Sequence, residues 1–199
     1  MSLTQPAGEA GEQVDERPLR ADARRNRERI LQGAREAFSA LGAEAQMDEV
    51  ARRAGVGVGT VYRHFPTKEA LLSELVRQKL TTMSANARLA LEVGGEPFGV
   101  FADLLRRNAA LAARDAALQH AMLGAGERVW AQARPEEEEL LGLTDELMGR
   151  AQRTGTMRAD VSATDIPMLM CGLCATMTHT GPGFDWQRHL ELILDSLRA

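Results

Sequence analysis

Aromatic side chains are scarce in this chain, with five Phe, two Trp and one Tyr among 199 residues. Strands draw on aromatic and β-branched residues, whereas Ala, Leu and Arg are plentiful here, so the composition favours helices over sheets. Cysteine is rarer still. Cys171 and Cys174 cannot build a disulfide framework, and they lie inside the apolar run 166–177. That fits a reduced compartment. The first twenty or so residues lack the apolar core of a secretory signal, and the 166–177 run is too short to span a bilayer. The expectation is a cytoplasmic protein with no membrane partner. No strand-like alternation, internal repeat or low-complexity block is found.

Charge of one sign is short only locally. The net charge of −4 divides into −4 over residues 1–16, +5 over 17–80 and −5 over 81–199. A basic N-terminal third on an acidic remainder suits a local polyanion site, although chance gives the same pattern.

Residues 1–19 mix Gly, Pro, Glu and Gln without periodicity and read as a disordered tail. From Asp22 a helix is expected, with Ile30, Leu31, Ala34, Ala37, Phe38 and Leu41 on one face and Gly42 as its stop. A second helix spans 47–54, Gly55-Val56-Gly57 breaks it, and a third runs over 58–65 to Pro66. Thr67 then caps a long fourth helix with Leu71, Leu72, Leu75, Val76, Leu80 and Met83 inward. Further helices are expected near 97–114, 116–123, 127–153 (with Pro135 as a kink or break), 164–180 and 184–197. The fold class is therefore all-α, about nine helices in all.

The strongest local pattern lies between Met47 and Phe65. Two short helices that cross closely need a small residue at the contact, which Ala51 supplies. Their connecting turn needs a permissive backbone, which Gly55 supplies four residues later. Val56 and Val61 pack the second of these helices on the first. Val58, Gly59, Thr60, Tyr62, Arg63 and His64 are left to face outward, a short basic surface that fits a B-DNA major groove.

At these residues the chain resembles the TetR family of repressors, the stretch 51–72 (ARRAGVGVGTVYRHFPTKEALL) matching that family's signature almost throughout. Ile30, Ala34 and Phe38 also sit where the family's first helix has its apolar face, and Gly155 to Asp160 forms a recurrent pattern before the penultimate helix. The resemblance implies a three-helix DNA-binding unit over 20–72, followed by a helical ligand-binding and dimerisation unit over 73–199. It implies operator DNA and a second copy of the chain as partners, and no cofactor. It assigns Thr60, Tyr62 and His64 to bases or phosphates and Lys68 to a phosphate. Val58 and Arg63 take the variable positions, suited to a thymine methyl and a guanine. Arg24 and Arg25 fit DNA contacts from the N-terminal arm; they also fit solvated helix charges, as Tyr62 and His64 also fit packing roles. Two positions depart from the family: Gly57 stands where relatives often have Ser or Thr, and Gln46 where they often have Thr.

Other constellations are weak. Gly55-Val-Gly-Val-Gly59 lacks the preceding strand and the Lys-Ser/Thr of a phosphate loop, and the Cys171/Cys174 pair has no basic neighbour in sequence to activate a thiol. His120, His179 and His189 show no metal-ligand spacing, and the acidic run 136–139 reads as a solvated face. An enzyme is not expected.

For the second unit, the resemblance suggests a small apolar effector. The candidate cavity residues are Phe101, Leu104, Leu105, His120, Met122, Trp130 and Met148, with Arg107 as a further polar group, although the same stripes also fit a closed core. Leu169, Gly172, Leu173, Ala175, Trp186, Leu190 and Leu194, on the last two helices, are the candidate dimer contacts. A DNA-binding regulator without a small-molecule effector is the alternative.

Overall fold

The structure, a computed structural model, describes residues 16–179 and 183–199. The described residues form α1 (Glu16–Leu41), a 3-10 turn (Gly42–Glu44), α2 (Met47–Ala54), α3 (Val58–His64), α4 (Lys68–Glu92) and α5 (Pro97–Ala113). They continue as α6 (Ala116–Leu123), α7 (Glu127–Ala131), α8 (Arg134–Arg153), α9 (Asp165–Met177) and α10 (Trp186–Leu197). Among the described residues the sole bridge of β type joins Met157 to Arg198. No described helix is long and apolar enough to cross a membrane.

Two expectations need correction. Residues 1–15 of the expected tail lie outside the described residues, but 16–19 are already helical, so α1 begins well before Asp22. Pro18 falls in its first turn, where a missing N–H has no intrahelical partner to lose. The helix expected over 127–153 is two helices, which brings the count to ten. Pro135 opens α8, and the chain turns at Gln132 and Ala133 instead of continuing α7.

Caps set several boundaries. Gly42, at φ 56°, ends α1. The Thr67 hydroxyl accepts the Ala70 N–H at 3.1 Å at the start of α4, and the Asp185 carboxylate accepts the Arg188 N–H at 3.0 Å at the start of α10. Gln46 makes no such bond; its side-chain amide donates to the Glu44 carbonyl at 3.0 Å. Asp48 and Glu49 in the first turn of α2 favour that N-terminus electrostatically instead.

Two apolar cores hold the helices. One joins α1, α2, α3 and the start of α4 around Ile30, Phe38, Val50, Val61 and Leu71, and takes in Leu118, Met122 and Val129 from α6 and α7. The other joins α5, α8, α9, α10 and the later turns of α4 around Phe98, Phe101, Leu147, Leu173 and Leu194. Each such fully buried side chain contributes about 1.5–3 kcal/mol before entropy is counted. α4 runs unbroken through both cores, and Leu140 of α8 also packs against each. Arg106 on α5 grips Glu191 on α10 with two bonds, of 2.7 and 2.8 Å, a bidentate pair that holds the last helix on the body.

Candidate DNA interface and effector cavity

The turn between α2 and α3 is built on Gly55, whose φ of 63° lies in the left-handed region that other residues avoid. Its N–H donates to the Arg52 carbonyl at 3.3 Å and the Val56 N–H to Ala51 at 3.1 Å, which closes the end of α2. Arg29 on α1 donates to the Gly55 carbonyl at 2.8 Å and fixes the turn from behind. Ala51 is buried as expected, but the tightest crossing belongs to Gly33, a residue not singled out from sequence. A Cβ there would stand 2.7 Å from the Ala54 backbone nitrogen and 2.9 Å from the Val50 carbonyl oxygen. The available signal was an interior glycine on a helix with no local reason for one.

With α2 held against α1, only Val61 of α3 is buried. Val58 and Tyr62 are 41% and 47% exposed, Gly59 and Arg63 are also exposed, and Thr60 and His64 are half-buried. α3 carries no carboxylate. Arg63 lies back along its own helix, donating to the Gly59 carbonyl at 3.2 Å and the Thr60 hydroxyl at 3.3 Å. Phe65 is buried just after the helix, with the Arg27 guanidinium 5.2 Å from its ring centre. Lys68 is half-buried, donating to the Ala43 carbonyl at 2.5 Å above the Phe38 ring. An ammonium has three donors, so this tether leaves capacity for a phosphate. Arg24 and Arg25 are exposed on α1 and pair there with Glu28 and Asp22. On α2, Arg52 and Arg53 both donate to Glu49 and hold its carboxyl down to about 2.

Behind this unit, a cavity of about 180 Å³ opens between α4, α5, α6, α8 and α9. Leu105, Met122 and Trp130 line it. Phe101, Leu104 and Met148 do not: they are buried in the second core, about a turn along α5 and α8 from the lining residues Leu105, Asn108 and Thr144. His120 and Arg107 are exposed and lie outside the lining. The polar groups that do face it are Lys79, Asn108, Gln119, Glu137 and Thr144, none of them anticipated. Lys79 sits three residues after Val76 and four before Met83, on the inward stripe of α4, which is where a buried cation would show in sequence. Burial pushes its ammonium below the ordinary lysine range, with Cys174 and Asp115 opposing that shift. Burial likewise pushes the Cys174 thiol up, Lys79 acting against it.

The last two helices divide differently from the expected dimer face. Leu173, Leu190 and Leu194 are buried within the chain, because the inner stripes of α9 and α10 close the second core. Gly172 and Ala175 are exposed, Leu169 and Trp186 half-buried. Beside them Met168, Phe184 and Leu192 are exposed at 67%, 53% and 50%.

A helix-turn-helix with a basic outward helix, carried on a helical body with an apolar cavity, is the build of a DNA-binding transcriptional regulator. Comparison with known proteins agrees. The model of bacterial regulatory proteins of the tetR family matches residues 30–75, and that of the C-terminal domain of SbtR-like transcriptional regulators matches 96–199, about half of the chain. The chain belongs to the TetR family of transcriptional regulators; it is a regulator and not an enzyme. It is similar to the HTH-type transcriptional repressor KstR of Mycolicibacterium smegmatis, 29% identical over 90% of each chain. A TetR transcription regulatory protein from Mycobacterium vanbaalenii is 39% identical in its crystal structure, over 92% of this chain and 100% of its own, with a TM-score of 0.61. The TetR-family repressor FadR of Thermus thermophilus, solved with lauroyl-CoA, is 30% identical over 85% of this chain and 91% of its own, with a TM-score of 0.58.

Proposed function

We propose that the protein is a cytoplasmic, homodimeric repressor that leaves a palindromic operator when a small effector fills the cavity. The observation that carries this reading is that one helix serves both sites. Lys68 opens α4 beside α3, and Lys79 and Met83 on the same helix line the cavity. Eleven residues of helix place Lys68 and Lys79 about 16 Å apart along the axis. A ligand that shifts α4 therefore shifts the spacing of the two recognition helices in a dimer. In this reading Val58, Arg63, Thr60, Tyr62 and His64 meet the major groove, Gly59 lets the backbone approach, and Lys68, Arg24 and Arg25 meet phosphates. Dimerisation uses the exposed apolar side of α9 and α10, with Met168, Gly172, Ala175 and Trp186 central. A repressor relative solved with an acyl-CoA supports an effector of substantial apolar area.

Effector control requires differential affinity for two conformations, and a hundredfold loss of DNA affinity corresponds to about 2.7 kcal/mol. Fluorescence anisotropy of a selected operator duplex tests it. An apolar ligand that binds at Trp130 should release the duplex. If a ligand fills the cavity and operator affinity stays constant, the effector role is wrong.

A further inference from the structure

A second cavity of about 370 Å³ adjoins the first, and both are bounded by Lys79, Met83, Asn108, Ala112, Gln119 and Met122. The two differ in character. The inner chamber continues over Leu140, Ile166, Met170 and Met177, whereas the outer one continues over Arg35, Gln78, Thr82 and Asp115. On a measure where one water takes about 10–15 Å³, the inner chamber alone holds roughly a dozen waters' worth of ligand.

Donors from three helices border these spaces: Lys79 and Asn108 where the two meet, and Arg35 in the outer one. Among the described residues the Lys79 ammonium makes no hydrogen bond, and the Asp115 carboxylate favours its charged form. Asn108 accepts from the Asn86 amide at 3.1 Å, which leaves its own NH2 free to donate. Arg35, on α1 of the DNA-binding unit, faces the outer cavity and donates to Gln78 at 2.5 Å. Two cations thus face one carboxylate, Asp115, around the outer space. Glu137 faces the inner chamber from α8.

Resting on the effector reading above, we propose that the two cavities form one site for an amphipathic anion. Its apolar chain fills the inner chamber, and its carboxylate or phosphate pairs with Lys79 and Asn108 at the junction and with Arg35 in the outer cavity. An apolar chain alone satisfies the chamber but leaves the Lys79 ammonium half-desolvated and unpaired, an arrangement that an anion relieves. Because Arg35 belongs to α1, the head group touches the DNA-binding unit directly, and its capture of Arg35 competes with the Gln78 bond that ties α1 to α4.

The test uses four probes with twelve carbons in the chain, each kept below its micelle concentration or solubility limit: dodecanoate, dodecyl phosphate, dodecanol and dodecyltrimethylammonium. Binding to the full-length protein is followed by calorimetry and by Trp130 quenching in a Trp186→Phe background. The wild type should bind at least one anion tenfold or more tightly than dodecanol and the cation, and the tighter anion identifies the head group. Lys79→Met should remove that preference while keeping dodecanol affinity within about threefold, and Lys79→Arg should retain it. If Lys79→Met fails to fold by circular dichroism, Arg35→Met takes its place and should lower anion affinity alone. Dodecanol or the cation binding as tightly as the anions would overturn the proposal, and so would a preference that survives Lys79→Met. If the neutral or cationic probe binds the chamber and releases operator, the effector reading stands and only the anion assignment fails. If no probe binds while operator binding is intact, both fail.

Discussion

The recognition unit and the helical body solve the same problem, packing short helices around a small core, with different amounts of freedom. Between Met47 and Thr67 nearly every position has one task set by the backbone. Gly55 takes a positive φ, Val61 fills the crossing, Pro66 ends the turn and Thr67 caps the next helix. In the body, neighbours on one helix go to different places: Met168 faces solvent, Met170 lines the cavity, and Leu173, 1% exposed, belongs to both the core and the cavity wall. Tight local geometry leaves α3 no choice of face. Loose crossing geometry leaves the body a cavity that a ligand can fill.

The largest effect should separate core from surface on α9. Leu173→Glu buries an unpaired charge and should cost about 4 kcal/mol or more, enough to unfold the body. Met168→Glu should leave the thermal transition unchanged and weaken only self-association, as read by sedimentation velocity. A folded Leu173→Glu protein would show that α9 moves away from the core.

Next in size is the crossing of α1 and α2. Gly33→Ala places a Cβ against the Ala54 backbone and should cost about 1–3 kcal/mol, seen in denaturant midpoints, with operator binding lost in proportion. A neutral result would mean that α1 and α2 separate freely and that the recognition unit is less constrained than the comparison holds.

Within the interface, Arg63→Ala should cost about 1–3 kcal/mol on one preferred base per half-site and relax selectivity there. Lys68→Met keeps its stem on Phe38 but should weaken all sequences alike, lowering the slope of log K against log salt by about one. Equal losses on specific and random DNA for Arg63→Ala would move it to the backbone class.

The smallest effect concerns acid. The Glu49 carboxyl is held down by the hydrogen bonds from Arg52 and Arg53, so it favours the fold above the ordinary carboxylate range. That contribution fades as pH falls from about 4.5 towards 2. Glu49→Gln should flatten the wild type's loss of α2 protection in this window, measured by amide exchange. An identical profile in the variant would assign the loss elsewhere.

This contrast also explains what was legible in the sequence. α2 and α3 could be placed almost to the residue because their apolar spacing, the Gly55 turn and the Pro66 stop are written in local residue types. Gly33 was overlooked because its reason lies 21 positions away, at Ala54. Phe101, Leu104 and Met148 share the helix stripes of the lining residues Leu105, Asn108 and Thr144, and periodicity alone cannot say how far along a stripe the empty space extends. Lys79 was the missed clue, a cation on an otherwise apolar stripe of α4. The break before α8 was readable at Pro135, but whether proline kinks or ends a helix depends on what α7 packs against.

The central claim is that two copies of the α3 surface read DNA together, and selection of bound duplexes from a random pool tests it most directly. The recovered sequences should share an inverted repeat, with Arg63→Ala relaxing one symmetric position in both half-sites. Recovered sequences with no shared motif, or a single half-site bound by a monomer, would contradict the account.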